Sequence, residues 1–180
     1  MKKAVLASIK PCHTANILVG LKTLEIRKTL PSIELVTPFK VYVYESLDGG
    51  KGAGAVVCEF ACDWYCIMMN PLDGTINQED CQAACLTEQE IRDYAKGRDV
   101  YGWHISDLIV YDTPKALSDF TPSCRFLLAG SECDHGKVAC PYQDFDYNPW
   151  PDCSVNVVTC RKRMTKPPQS WCYVEEVSGC

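Results

Sequence analysis

Gly20-Leu21-Lys22-Thr23-Leu24-Glu25-Ile26-Arg27 is the stretch on which the reading of this chain turns. A glycine precedes three charged residues inside a run whose other members suit a strand. Successive side chains of a strand point to opposite faces, so Lys22 and Leu24 share one face and Thr23, Glu25 and Arg27 the other. Charges in this pattern either face solvent or converge on a buried site. Convergence requires Lys22 to lie in the bend behind Gly20, with its side chain swung towards Glu25 and Arg27.

The flanks support a helix-to-strand turn at this point. Ala4 to Ile9 reads as a first strand, and Pro11 suits the first turn of a helix. Thr14, Ile17, Leu18 and Leu21 give that helix one apolar stripe, and Gly20 stands where it should stop. The motif strand then runs to about Thr29. Phe39 to Ser46 alternates, with Val41, Val43 and Glu45 on one face and Lys40, Tyr42 and Tyr44 on the other. The Asp48-Gly49-Gly50-Lys51-Gly52 turn joins it to Ala55–Phe60 as a hairpin. Cys58, Cys62 and Cys66 fall on one face of a strand-like run. Thr87 and Glu90 form a capping-box signature, Leu86 can staple onto Ile91, and the helix they start ends at Gly97. A strand from Val100 through Trp103 and His104 continues towards Val110, and Gln169 to Val174 supplies the last strand. This order predicts a small α+β barrel rather than a parallel sheet.

The motif also resembles a known signature. Leu6-Ala7-Ser8-Ile9-Lys10-Pro11, a helix, and then Gly20, Lys22, Glu25 and Arg27 match the Gly-x-Lys-x-x-Glu-x-Arg pattern of the ASCH domain family. The resemblance implies a PUA-like β-barrel, its ends closed by helices, built from residues 1–122 and 167–180. It also implies recognition of RNA or a modified nucleotide. The ending Pro167-Pro168-Gln169-Ser170-Trp171-Cys172-Tyr173-Val174 looks like that of phage- and prophage-borne ASCH proteins with a Cys-rich insertion, here residues 123–166.

At 180 residues the chain can bury one good core with a small subdomain beside it. A net charge of −5 argues against a nucleic-acid footprint over the whole surface. The charge is uneven, however. Lys2, Lys3, Lys10, Lys22, Arg27, Lys28 and Lys40 outnumber Glu25, Glu34 and Glu45 in residues 1–47, and Arg161-Lys162-Arg163 with Lys166 returns positive charge near the end. Such runs form a local binding face or a solvated surface.

Thirteen cysteines would suggest a disulfide framework in a secreted protein. Met1-Lys2-Lys3-Ala4-Val5 does not continue into an export signal, no Asn-x-Ser/Thr acceptor occurs, and no apolar run is of membrane-spanning length. The chain therefore reads as cytoplasmic, with reduced thiols and no membrane partner. A loop as long as the insertion needs its own organiser. Cys133, Cys140, Cys153 and Cys160 form two Cys-x6-Cys pairs, a set that suits tetrahedral zinc, with Cys124 and His135 as substitutes. Four thiolates leave no open position, so such a zinc is structural. Unligated cysteines in a loop are the alternative.

Arg27 and Lys22 suit a phosphate or a base edge, with Glu25 orienting the arginine or accepting from an amino group. The resemblance brings Lys10 to the same pocket, and Trp171, on one face with Tyr173, stacks on a base or serves as core or lid. His104 reads as a structural histidine unless it lines the pocket. If the pocket is enzymic, Lys22 and Glu25 are its catalytic candidates, for a nucleoside amidohydrolase or a ribonuclease. Some small ASCH-like proteins hydrolyse N4-acetylcytidine with a Lys, a Thr and a Glu. The position of that threonine is Glu25 here, and Glu88 or Glu90 matches the distant glutamate only loosely. A purely structural Glu25–Arg27 ion pair and a zinc-dependent protein-interaction adaptor complete the alternatives. Elemental analysis of purified, untagged protein should find about one zinc per chain, and chelation should expose residues 124–166 to protease while sparing the barrel. Disulfides linking the four cysteines, with no metal, would contradict the zinc site.

Overall fold

The computed structural model describes residues 3–31, 36–70, 72–122 and 163–177. The expected zinc ligands Cys133, Cys140, Cys153 and Cys160, with Cys124 and His135, lie outside the described residues.

Strand β1 (Lys3–Ile9) is apolar on both faces, and this places it inside a sheet. It pairs in parallel with β3 (Phe39–Glu45) and antiparallel with β8 (Trp171–Glu175). The expected hairpin forms between β3 and β4 (Ala55–Cys62), and β7 (Ser106–Lys115) adds the far edge. The resulting five-stranded sheet has the order β7-β4-β3-β1-β8. A second sheet of three strands runs β2 (Leu24–Arg27), β6 (Tyr101–His104), β5 (Tyr65–Ile67). Only Ile105 separates β6 from β7, so one run of chain passes from the second sheet into the first.

Three apolar layers follow from this arrangement. Val5, Ala7, Val41, Val43, Cys58 and Trp103 pack between the sheets with Ile17 of helix α1 (Pro11–Leu18). Leu24, Ile26 and Met68 pack under α2 (Gln78–Ala84) and α3 (Glu88–Ala95). Leu6, Tyr42, Tyr44, Phe120 and Val174 fill the outer face of the large sheet. Tyr42 and Tyr44 are therefore buried, as are Val41 and Val43 on the other face of β3. Cys58 and Cys62 share the inter-sheet core, whereas Cys66 sits on β5 and packs with the helix layer. Leu21 lies beyond α1 and is exposed, so the helical stripe ends at Leu18.

The expected α+β fold is present, but the expected barrel is not closed: the described residues form two sheets, not a continuous cylinder. Strand β2 is only four residues long, and no ladder joins it to β1 or β8. The gap is bridged by a side chain. The Arg27 guanidinium donates to Ser8 O at 2.9 Å and to Ser170 O at 3.1 Å, standing in for the missing backbone pairing.

Gly102 marks the closest approach in the smaller sheet. A Cβ there would stand 2.8 Å from Met68 Sδ and 3.1 Å from Cys66 Sγ. Gly102→Ala should therefore overpack this layer and cost about 1–3 kcal/mol of stability, read as a lower urea midpoint. An unchanged midpoint would show that β5 yields freely.

Candidate functional site

Lys22 lies in the turn between α1 and β2, outside the strand. The backbone N–H groups of Leu21 and Lys22 both donate to Asn16 O, at 2.9 and 3.0 Å, and Gly20 takes φ 75° to make the reversal. The bend frees Lys22 from strand parity, so Lys22 is buried while Thr23 is exposed. Its Nζ stands 3.6 Å from Glu25 Oε2 and donates to Ala84 O at 2.7 Å. Ala84 is the last residue of α2, where unpaired carbonyls and the helix dipole favour a cation. Glu25 Oε1 forms an ion pair with Arg27 Nη2 at 3.0 Å. Arg27 Nη1 also reaches Ser170 Oγ at 3.2 Å.

The three charges thus form one cluster, with side-chain exposures of 1% for Lys22, 8% for Glu25 and 6% for Arg27. Two cations face one carboxylate, so the triad holds an excess positive charge away from water. Burying an incompletely compensated charge is costly. Among the described residues, neither Arg27 Nε nor the indole Nε1 of Trp103 has a hydrogen-bond partner. Cross-strand register pairs Glu25 with Trp103 and Arg27 with Tyr101, which puts the orphan indole on the same face as the triad. Trp171 closes this side: its Nε1 donates to Thr29 Oγ1 at 3.0 Å and its ring centroid lies 5.9 Å from that of Trp103.

The other side is made by α1 and α3. His13 is half-buried on α1; burial and the Lys22 charge, with Lys10 adding to them, hold its pKa below the ordinary histidine value against the pull of Glu25 and Glu90. Tyr94, four residues after Glu90 on α3, feels the charges of Arg27 and Glu25, and burial pushes its hydroxyl pKa up. Lys28 Nζ stands 4.7 Å from the Tyr94 ring centroid. Lys10 is exposed at the start of α1 and acts on the cluster through its charge on His13. Glu88 is held by Arg92 at 2.6 Å, whereas Glu90, bonded to Thr87, also acts electrostatically on His13.

Sequence reasoning missed His13 and Tyr94. The i,i+3 spacing of Lys10 and His13 and the i,i+4 spacing of Glu90 and Tyr94 were the available signals. Among the described residues no group of three or more His, Cys, Asp or Glu is placed to hold a metal.

The His13 environment has a measurable consequence. Its imidazole should titrate below 6.5 by NMR, and Lys22→Met should raise the midpoint. Because the unfolded chain then binds the proton more readily, the His13 contribution makes stability fall as pH drops through about 6.5. A midpoint at or above 6.5, unmoved by Lys22→Met, would refute this placement.

Comparison with known proteins places this geometry in a fold. No family model and no curated protein matches the chain. Three crystal structures of ASCH from Zymomonas mobilis are similar to it, each with a TM-score of 0.50. The ASCH protein itself is 20% identical over 63% of this chain and 73% of its own. A tyrosine-to-phenylalanine variant is 20% identical over 64% and 77%, and a serine-to-alanine variant 22% over 63% and 74%. The described residues of this chain adopt the ASCH fold.

Proposed function

We propose that the Lys22–Glu25–Arg27 pocket recognises RNA or a modified nucleotide. The observation that carries this reading is the buried excess positive charge with a donor, Arg27 Nε, that no described residue fills. Donors need an acceptor, and a phosphate oxygen or a base carbonyl supplies one with the right chemistry. Glu25 orients Arg27, Lys22 sets the charge, and Trp171 offers a ring on the side of Trp103. Lys10 and Lys28 extend the positive character towards solvent, a local footprint on an acidic chain. The ASCH fold and the complete signature motif agree with this role. We further propose family membership, a structural zinc on Cys133, Cys140, Cys153 and Cys160, and a cytoplasmic setting. No helix among the described residues is long and apolar enough to cross a membrane.

A second reading, hydrolysis of a nucleoside amide or of RNA in the same pocket, draws on His13 beside Lys22 and Glu25. Its lysine, however, is tied to Ala84 O, which suits a positioning group better than a nucleophile. Fluorescence polarisation with short single-stranded RNAs and competition by nucleoside monophosphates, modified ones included, separates these readings. Lys22→Met and Glu25→Gln should each weaken binding by tenfold or more, the scale of a lost charge-assisted hydrogen bond, about 1.5–3 kcal/mol. Cleaved or deacylated product favours the enzyme. RNA binding indifferent to both variants removes the pocket from recognition.

A further inference from the structure

Two sheets have four edges, and among the described residues three of them are closed to a further strand. At β7 the ladder to β4 breaks register twice, and Asp107, Asp112, Pro114 and Lys115 stand along the strand. At β8 the preceding chain covers the edge: Thr121 O accepts from Glu175 N at 3.0 Å, and Pro122 bridges to Val174. At β2 the Arg27 guanidinium crosses to Ser8 O and Ser170 O. Charge, proline, register breaks and cover are the devices that keep an edge from pairing with another chain. The β5 edge has none of them. Tyr65-Cys66-Ile67 carries no charge and no proline, and no described strand lies beyond it.

The register fixes what this edge presents. His104 N donates to Trp64 O at 3.0 Å and Met68 N to Val100 O at 2.9 Å, so Trp64, Cys66 and Met68 turn their backbone groups towards β6. The N–H and C=O of Tyr65 and Ile67 therefore point outward. Their side chains share one face and are 48% and 50% exposed, and the Tyr101 ring meets that of Tyr65 edge-on at 6.5 Å. Trp64, 45% exposed, adds apolar surface at one end, and Ile76, bridged to Met69, ends the free stretch at the other.

The sequence of the edge selects its partner. Run antiparallel against itself about Cys66, the stretch sets Tyr65 opposite Ile67 twice, once on each side of the dyad. Each of these pairs exchanges two backbone hydrogen bonds and lays an aromatic ring beside a β-branched side chain. Cys66 then faces its own copy at the non-hydrogen-bonded position between them, with Cα atoms about 4.5 Å apart.

We propose that the β5 edge pairs with β5 of a second copy of this chain, joining two three-stranded sheets across a twofold axis at Cys66. A twofold contact uses the same edge in both copies and leaves none for a third, so the assembly stops at a dimer. The ladder is three residues long, so the dimer dissociates on dilution. Strand β2 lies at the other edge of each small sheet, and the pairing does not depend on the RNA reading of the triad.

Sedimentation velocity of the full chain in reducing buffer, over a range of concentrations, should show a reversible monomer–dimer equilibrium. Tyr65→Lys and Ile67→Lys should each weaken it about tenfold or more, because the dyad makes every substitution act twice. Val110→Lys, on the edge strand of the large sheet, should leave it unchanged, and thermal unfolding verifies that each variant is folded. A short bis-maleimide should join Cys66 of one copy to Cys66 of the other in the unsubstituted chain, read by mass spectrometry as one cross-linked peptide. That measurement needs no variant to fold. A chain that stays monomeric, a dimer that persists in folded Tyr65→Lys and Ile67→Lys, or a cross-linked dimer without the Cys66–Cys66 peptide overturns the pairing.

Discussion

The guanidinium of Arg27 is the tie on which the rest of the architecture depends. The small sheet meets the large one without a backbone ladder at β2, and Arg27 crosses that seam to Ser8 O and Ser170 O. Its planar fork can bond in several directions at once, which a lysine at this position could not reproduce. The same group holds Glu25, so the carboxylate at the centre of the site is positioned by the residue that joins the sheets. The seam between the sheets and the charged cluster are thus coupled through one side chain, and a substitution at Arg27 perturbs both.

Lys22 extends that coupling to the helices. Its backbone is fastened to the end of α1 through Asn16 O, and its ammonium to the end of α2 through Ala84 O. A ligand that drew charge from Lys22 would therefore be felt at the α2 C-terminus, and at His13 on α1. The site is assembled from the adjacent α1 and β2 together with α3 and the approach to β8, which lie far along the chain from them.

Legibility in the sequence followed the range of each interaction. The capping box at Thr87 and Glu90 was readable because its partners are three residues apart, and it forms as expected. The bend that turns Lys22 towards Glu25 was readable from Gly20 and from the parity conflict. Helix α2 was not foreseen: its cap is Asn77, and its buried side is only Cys81 and Ala84, too small for a clear stripe. Closure of the barrel was misjudged because it depends on whether β2 pairs with β1 and β8, and local sequence does not carry that information. Tyr42 and Tyr44 are covered by Phe120 and Val174, distant residues that no alternation in β3 could announce.

The chain on either side of residues 123–162 is drawn together. Phe120 O accepts from Met164 N at 3.0 Å, Thr121 O from Glu175 N at 3.0 Å, and Pro122 bridges to Val174. Ends pinned side by side set the closure cost of what lies between, and for flexible segments in general each doubling of length adds only about 0.6 kcal/mol. The bonds of Phe120, Thr121 and Pro122 to Met164, Glu175 and Val174 therefore make the two flanks one edge of the sheet's support, whatever the number of residues between them.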